Sequence, residues 1–104
     1  MEMIKTLEQF ETVTSIGKNI VIFSAQWCRD CLFIKPHLPA IIANFPDWNF
    51  FFVDRDDLIE LCKDLDIYGI PSFLAYNDGH LVGRFVSKDR KTPPEIEKFI
   101  RDLG

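Results

Sequence analysis

Two continuous apolar runs leave this chain little freedom in how it can fold: Ile20 to Ser24, and Asn49 to Val53 with its three consecutive phenylalanines. Neither alternates polar with apolar, so each reads as a strand buried on both faces of a sheet. Between them Leu38, Ile41, Ile42 and Phe45 fall at i, i+3, i+4 and i+7, the spacing of one helix face, and Phe45-Pro46-Asp47-Trp48 ends that helix. Strand, helix, strand implies parallel pairing, with helices covering the sheet. Pro36 and Pro39 lie inside the helical stretch. Each removes a backbone donor and crowds the preceding turn, which predicts a bend.

The flanking elements complete a mixed sheet. Ile4 reads as part of a brief edge strand. Thr6 with Gln9 reads as a capping box opening a short helix, whose face is Leu7, Phe10 and Val13 and whose end is near Gly17. Asp57 with Glu60 reads as the cap of a third helix, with Leu58, Leu61, Cys62 and Leu65 inward. Gly69-Ile70-Pro71 leads into a strand from Ser72 to Tyr76. Asn77-Asp78-Gly79 is a hairpin turn, so Leu81 to Val86 returns antiparallel. Thr92-Pro93-Pro94-Glu95 caps a last helix that buries Ile96, Phe99, Ile100 and Leu103. The predicted order is β-α-β-α-β-α-β-β-α, an α/β fold with four to five strands and helices on both faces.

Bulk properties narrow the function. A chain of 104 residues, 47% hydrophobic and 27% charged, is expected to form one domain, residues 1–104, around one modest core. A net charge of −4 argues against nucleic acid or an anionic membrane surface as partner. No apolar run approaches the roughly 20 residues of a membrane span. Met1-Glu2-Met3-Ile4-Lys5 does not read as a signal peptide, which points to the cytoplasm.

Three cysteines make a poor disulfide framework, and two of them form Trp27-Cys28-Arg29-Asp30-Cys31. In a chain without an export signal such a pair is redox-active or metal-binding rather than structural. The motif follows a buried strand and opens a helix, where unpaired N–H groups favour the thiolate that thiol-disulfide exchange requires. Arg29 adds a cation and Asp30 opposes it. Cys31, one turn inside, reads as the less exposed, resolving thiol, and Trp27 as an apolar wall and contact surface.

The stretch Phe23 to Cys31, Pro36, Gly69-Ile70-Pro71-Ser72 and Asn77-Asp78-Gly79 together resemble the thioredoxins, over essentially the whole chain. That resemblance implies a thioredoxin fold, Cys28 as nucleophile, Cys31 as resolving thiol with a reversible Cys28-Cys31 disulfide, and a cis peptide between Ile70 and Pro71. Ile70 and Pro71 then stand against the dithiol, where the Ile70 backbone pairs with an extended substrate segment beside Trp27, Arg29 and Asp30. It further implies a disulfide reductase with no bound cofactor, working as a monomer. Its substrates are protein or small-molecule disulfides, and its electron donor is a thioredoxin-reductase-like or glutathione-based system.

The chain also departs from that family. Thioredoxins usually carry a buried aspartate six residues before the first cysteine, where Ile22 stands, and often a lysine where Phe52 stands. Without that acceptor, Cys31 deprotonation is expected to depend on water or on Asp30. Arg-Asp replaces the usual Gly-Pro, similar to a WCxDC group of which some members favour small disulfides such as cystine. Ser87 and Lys88 occupy the place of a glycine-containing loop beside the site, which alters partner docking. Elsewhere, Cys62 reads as a buried inert thiol. Asp54, Asp56 and Asp57 read as a loop and helix cap, Lys88-Asp89-Arg90-Lys91 as a solvated turn, and Phe50 to Phe52 as core. His37 and His80 are too isolated to complete a four-ligand zinc site. Two other readings remain open at this level: a protein-binding module of the same fold, and a redox sensor in which Cys62 reacts.

Overall fold

In a computed structural model, which describes residues 2–103, five strands form one sheet in the order β1-β3-β2-β4-β5. They are β1 (Glu2–Ile4), β2 (Lys18–Ser24), β3 (Asn49–Asp54), β4 (Ser72–Asn77) and β5 (His80–Phe85). Strand β3 runs parallel to β1 and β2, whereas β4 is antiparallel to β2 and β5. The helices are α1 (Leu7–Thr14), α2 (Arg29–Ile34), α3 (Leu38–Ala43), α4 (Ile59–Asp64) and α5 (Pro93–Arg101). A 3-10 turn, Lys35–His37, joins α2 to α3. Pro36 and Pro39 supply the reason, since neither can donate to the helix ladder. The predicted bent helix is therefore two short helices joined by that turn.

Side-chain alternation along β2 divides the core. Ile20 and Ile22 face Ile34, Leu38, Ile41, Ile96 and Ile100 from α2, α3 and α5. Val21 and Phe23 face Phe10, Leu61 and Cys62 from α1 and α4. A strand that fills both layers has no polar face, which is why β2 is an unbroken apolar run. The Asn77-Asp78-Gly79 reading holds: Asn77 pairs with His80, and Asp78 and Gly79 have φ of 48° and 86°. Both central residues of the turn are left-handed, matching the twist of the hairpin.

Two capping details differ from expectation. Thr6 does cap α1 through the Gln9 N–H, but the Gln9 side chain takes the N–H of Lys5 rather than that of Thr6. Asp57 does not cap α4, whose N-cap is Leu58; its carboxylate lies 3.6 Å from Lys5 Nζ. Leu7 is exposed, so the inward face of α1 is Phe10 with half-buried Val13. Phe50 is core, while Phe51 and Phe52 are only half-buried. Thr92 and Glu95 form the predicted box at α5, with the Thr92 N–H donating to Glu95 Oε1 at 3.0 Å.

These packing roles rank two substitutions. Phe73→Ala empties a fully buried site between the β2 and β5 neighbours and is expected to cost about 3–5 kcal/mol. Gly79→Ala forces a Cβ into a left-handed turn and is expected to cost only about 1–2 kcal/mol. Urea unfolding of both variants measures the ranking.

Candidate active site

Three chain segments meet at one edge of the sheet. Strand pairing places Ser24 at the end of β2 opposite Asp54 at the end of β3, and Phe23 opposite Ser72 at the start of β4. The residues just beyond these ends, Ala25 to Cys28, Arg55-Asp56 and Tyr68 to Pro71, are thereby brought together.

Cys28 is the N-cap of α2, and its sulfur accepts the Cys31 N–H at 3.2 Å. On its other side the Cys28 thiol donates to the Ile70 carbonyl at 3.6 Å. The Ile70-Pro71 peptide is cis, and Ile70 packs against both thiols. Cys28 and Cys31 are 7% and 6% exposed, so exposure alone does not separate the two thiols as the sequence suggested. Their surroundings do. Cys28 lies against Ile70 at the lip, whereas Cys31 faces a cavity of about 310 Å³ whose walls include Ile22, Phe52, Leu38, Lys35 and Asp54. Burial pushes the Cys31 thiol up to about 12, and the hydrogen bond and charge of Cys28, with Asp30, push the same way against a backbone contact to Ala25. The cavity wall is apolar where the family usually carries its acid.

Trp27 is 63% exposed yet held in place: its indole N–H donates to Asp56 Oδ2 at 2.7 Å. Asp56 is itself oriented through its N–H to Asp54 Oδ1, and the Arg55 guanidinium sits 5.8 Å from the Trp27 ring centre. The acidic loop is therefore a support for the tryptophan as well as a turn. Leu32, Phe33 and Tyr68 are also exposed, so large apolar side chains lie on α2 and on the loop that carries Ile70.

The segment after β5 departs most from its reading. Asp30 pairs with Arg90 at 2.9 Å, not with neighbouring Arg29, which is exposed at the start of α2. The Arg90 guanidinium also covers the Phe33 ring at 4.4 Å. Lys91 is buried at 1% exposure. Tyr68 donates to the Val86 carbonyl at 3.0 Å, and a Cβ on Gly69 would run into the Ser87 carbonyl. Residues 86–91 thus form a strap against both the Cys28-Cys31 helix and the Ile70 loop; Lys88, Asp89 and Arg90 are exposed as the solvated-turn reading expected, and Lys91 is the exception. Asp56 and Arg90 were out of reach of sequence reasoning, because their partners Trp27 and Asp30 lie 29 and 60 residues away; Lys91 bonds locally to Ser87 and Asp89, but its burial carries no local pattern.

Comparison with known proteins matches this arrangement. The thioredoxin family model covers residues 2–102. The chain belongs to the thioredoxin family. It is 32% identical to mitochondrial thioredoxin-3 of Saccharomyces cerevisiae over 98 residues, spanning 93% of this chain and 75% of the yeast protein. It is 38% identical to an H-type thioredoxin of Fagopyrum esculentum over 80 residues, spanning 76% of this chain and 69% of that one. The crystal structure of oxidised yeast mitochondrial thioredoxin 3 superposes with a TM-score of 0.86 at 28% identity, covering 98% of this chain and 94% of that one. As in other thioredoxins, the function is thiol-disulfide exchange by a cysteine pair, and the chain is a thiol-disulfide oxidoreductase acting on disulfides.

Cys62 is 3% exposed, and burial raises its thiol above the ordinary value. Among the described residues no group of three or more His, Cys, Asp or Glu is gathered as metal ligands would be. No helix among them is long and apolar enough to cross a membrane.

The Asp30-Arg90 pair changes what Asp30 does. Its charge disfavours the Cys31 thiolate, and its carboxylate is already engaged. Asp30→Asn is therefore expected to speed attack by Cys31 near neutral pH roughly threefold, the effect of about half a pKa unit. Release of 2-nitro-5-thiobenzoate from a mixed disulfide on Cys28 reads that rate directly. Slower release would instead make Asp30 the proton acceptor.

Proposed function

We propose that the chain is a disulfide reductase in which Cys28 attacks and Cys31 resolves. The observation that carries this assignment is the position of Cys28 Sγ, which caps α2 through the Cys31 N–H and touches the Ile70 carbonyl. A thiolate at that point is stabilised by the backbone donor, while its thiol form is stabilised by the carbonyl. A substrate disulfide laid along the Ile70 backbone reaches Cys28 first, and Trp27, Arg29, Asp30 and Pro71 line the approach. The Cys28 thiolate attacks one substrate sulfur, forms a mixed disulfide and expels the other as a thiolate. The Cys31 thiolate then attacks Cys28 Sγ, closes the Cys28-Cys31 disulfide and releases the second substrate thiolate. Two electrons pass to substrate, and the two protons lost by the cysteines balance those taken up by the products.

Cys31 sets the pace. With its thiol held above the ordinary range by burial, the thiolate fraction rises tenfold per pH unit across the neutral range. Once Cys28 is in the mixed disulfide its charge no longer opposes Cys31, and desolvation with Asp30 remains the obstacle.

The same reading extends to context. The exposed apolar side chains Trp27, Phe33 and Tyr68 suit an extended protein segment, and protein disulfides are the proposed main substrates, with small disulfides second. A yeast mitochondrial 1-Cys peroxiredoxin study concerns thiol resolution via glutathione and thioredoxin systems, and its structure shares this fold at 27% identity. Re-reduction by a thioredoxin-reductase-like or glutathione-based donor is the matching proposal here. The protein works as a monomer of one domain, residues 1–104, without a bound cofactor. The cytoplasm is the proposed compartment, where thiols such as Cys62 stay reduced.

Cys31→Ser is expected to accumulate mixed disulfides on Cys28 with protein substrates, and Cys28→Ser to accumulate none. Equal binding by both variants without covalent capture would favour a docking module, and loss of activity in Cys62→Ser would favour a redox sensor. Insulin reduction is expected to run slower than with a thioredoxin carrying the buried acid and to rise steeply above neutral pH. A flat profile at ordinary thioredoxin speed would overturn the assignment of Cys31 as the slow group. The equilibrium potential of the pair is expected to be more reducing than glutathione.

A further inference from the structure

Strand order ranks the segments along the active edge of the sheet. From β3 through β2 and β4 to β5 they are the Asp56 loop that holds Trp27, the Cys28-Cys31 helix, the Ile70 loop and the strap. Phe85, the last residue of β5, lies opposite Phe73 near the start of β4, so the strap leaves the sheet beside Ile70. Ile70 therefore has the dithiol helix on one flank and the strap on the other.

Direct contacts join each flank to the Ile70 loop. On the dithiol side Ile70 packs against Cys28 and Cys31. On the strap side the Ser87 backbone leaves no room for a Cβ on Gly69, and Tyr68 donates to the Val86 carbonyl at 3.0 Å. The two flanks are joined to each other by Arg90. Its Nε donates to Asp30 Oδ1 at 2.9 Å, and among the described residues this is the only hydrogen bond between α2 and the strap. Its guanidinium lies 4.4 Å from the Phe33 ring centre on the same helix. Asp30 stands between the two cysteines, and Phe33 is the second residue after Cys31. A carboxylate and a ring face are two different grips, and together they fix a planar guanidinium in direction as well as distance.

We propose that Arg90 is a positioning residue for protein substrates: by tying the strap to Asp30 and Phe33 it keeps the two flanks of Ile70 at one spacing, a preformed slot for an extended backbone. The inference rests on the assignment of Cys28 as attacking thiol and of Ile70 as the backbone along which substrate lies. Arg90 acts through α2 and the strap and makes no contact with the reacting sulfurs in this role. A small disulfide needs only the Cys28 sulfur and is indifferent to the slot. A protein segment must lie along Ile70, and a loose strap would have to be ordered as it docks, which weakens binding. The pair thereby favours protein disulfides over small ones.

Oxidation of the reduced protein by insulin and by 2-hydroxyethyl disulfide tests this. Second-order rate constants are measured for the parent protein, Arg90→Gln, Arg90→Lys, Asp30→Asn and the double variant Asp30→Asn with Arg90→Gln. The insulin rate divided by the small-disulfide rate is the readout, because a change in thiol reactivity enters both and cancels. At 46% and 29% exposure the Arg90 and Asp30 side chains lie outside the core, so the variants are expected to fold. Arg90→Gln is expected to lower the ratio about fivefold, the combined worth of an exposed ion pair and a cation–ring contact. Arg90→Lys keeps the cation and is expected to recover most of the ratio. Asp30→Asn is expected to lower it too, and Arg90→Gln to cost less in that background than in the parent. An unchanged ratio in Arg90→Gln overturns the proposal. A loss of equal size with and without Asp30 makes Arg90 a direct substrate contact and also overturns it. Should Asp30→Asn not fold, the comparison of Arg90→Gln with Arg90→Lys decides, and equal ratios overturn the proposal. A parent protein oxidised by neither disulfide would instead overturn the role given to Cys28.

Discussion

Burial of β2 on both faces and both edges is the constraint on which the structure depends. Its side chains fill two helix layers, and its backbone pairs with β3 on one side and β4 on the other. Neither face can be wetted, so the register with both neighbours is held by hydrophobic burial. That register brings the end of β2, the end of β3 and the start of β4 to one edge. The dithiol, the Trp27 support and the Ile70 loop are the continuations of those three strands. An active site at the carboxyl ends of parallel strands follows the general rule for open α/β sheets.

The electrostatic design is displaced relative to the family. Ile22 and Phe52 make the cavity behind Cys31 apolar at the positions where an acid and a lysine usually stand. Charge enters instead from the strap after β5, through Arg90 on Asp30 and the buried Lys91. The strap is pinned by Tyr68, by close approach to Gly69 and by internal bonds from Lys91, so these charges are held rather than floating. Burial raises the cost of the Cys31 thiolate.

Local patterns and distant contacts differed in how readily the sequence disclosed them. The five strands, the bend at Pro36 and Pro39, the Asp78-Gly79 turn and the Thr92-Glu95 box all arise from interactions within a few residues, and each was readable. Asp57 misled because a cap-like spacing is only a possibility until the backbone chooses its N-cap, and Leu58 takes that place. Leu7 misled because a helix face predicts which residues align, not whether anything lies opposite the first turn. Asp30 was read only as opposing the charge of Arg29, whereas its partner is Arg90 from another element, which no local pattern discloses.

By itself the sequence determined the fold class, the family and the candidate pair of thiols, because periodicity, turn chemistry and the CxxC spacing are local properties. Only the tertiary structure decided how those thiols are tuned. The Lys88-Asp89-Arg90-Lys91 run has the composition of a solvated turn, and nothing local distinguishes a lysine in water from one sealed under a loop. Burial and electrostatic partnership depend on what the rest of the chain brings alongside, so Lys91, Arg90 and Asp56 acquire their roles only once the sheet has set their neighbours.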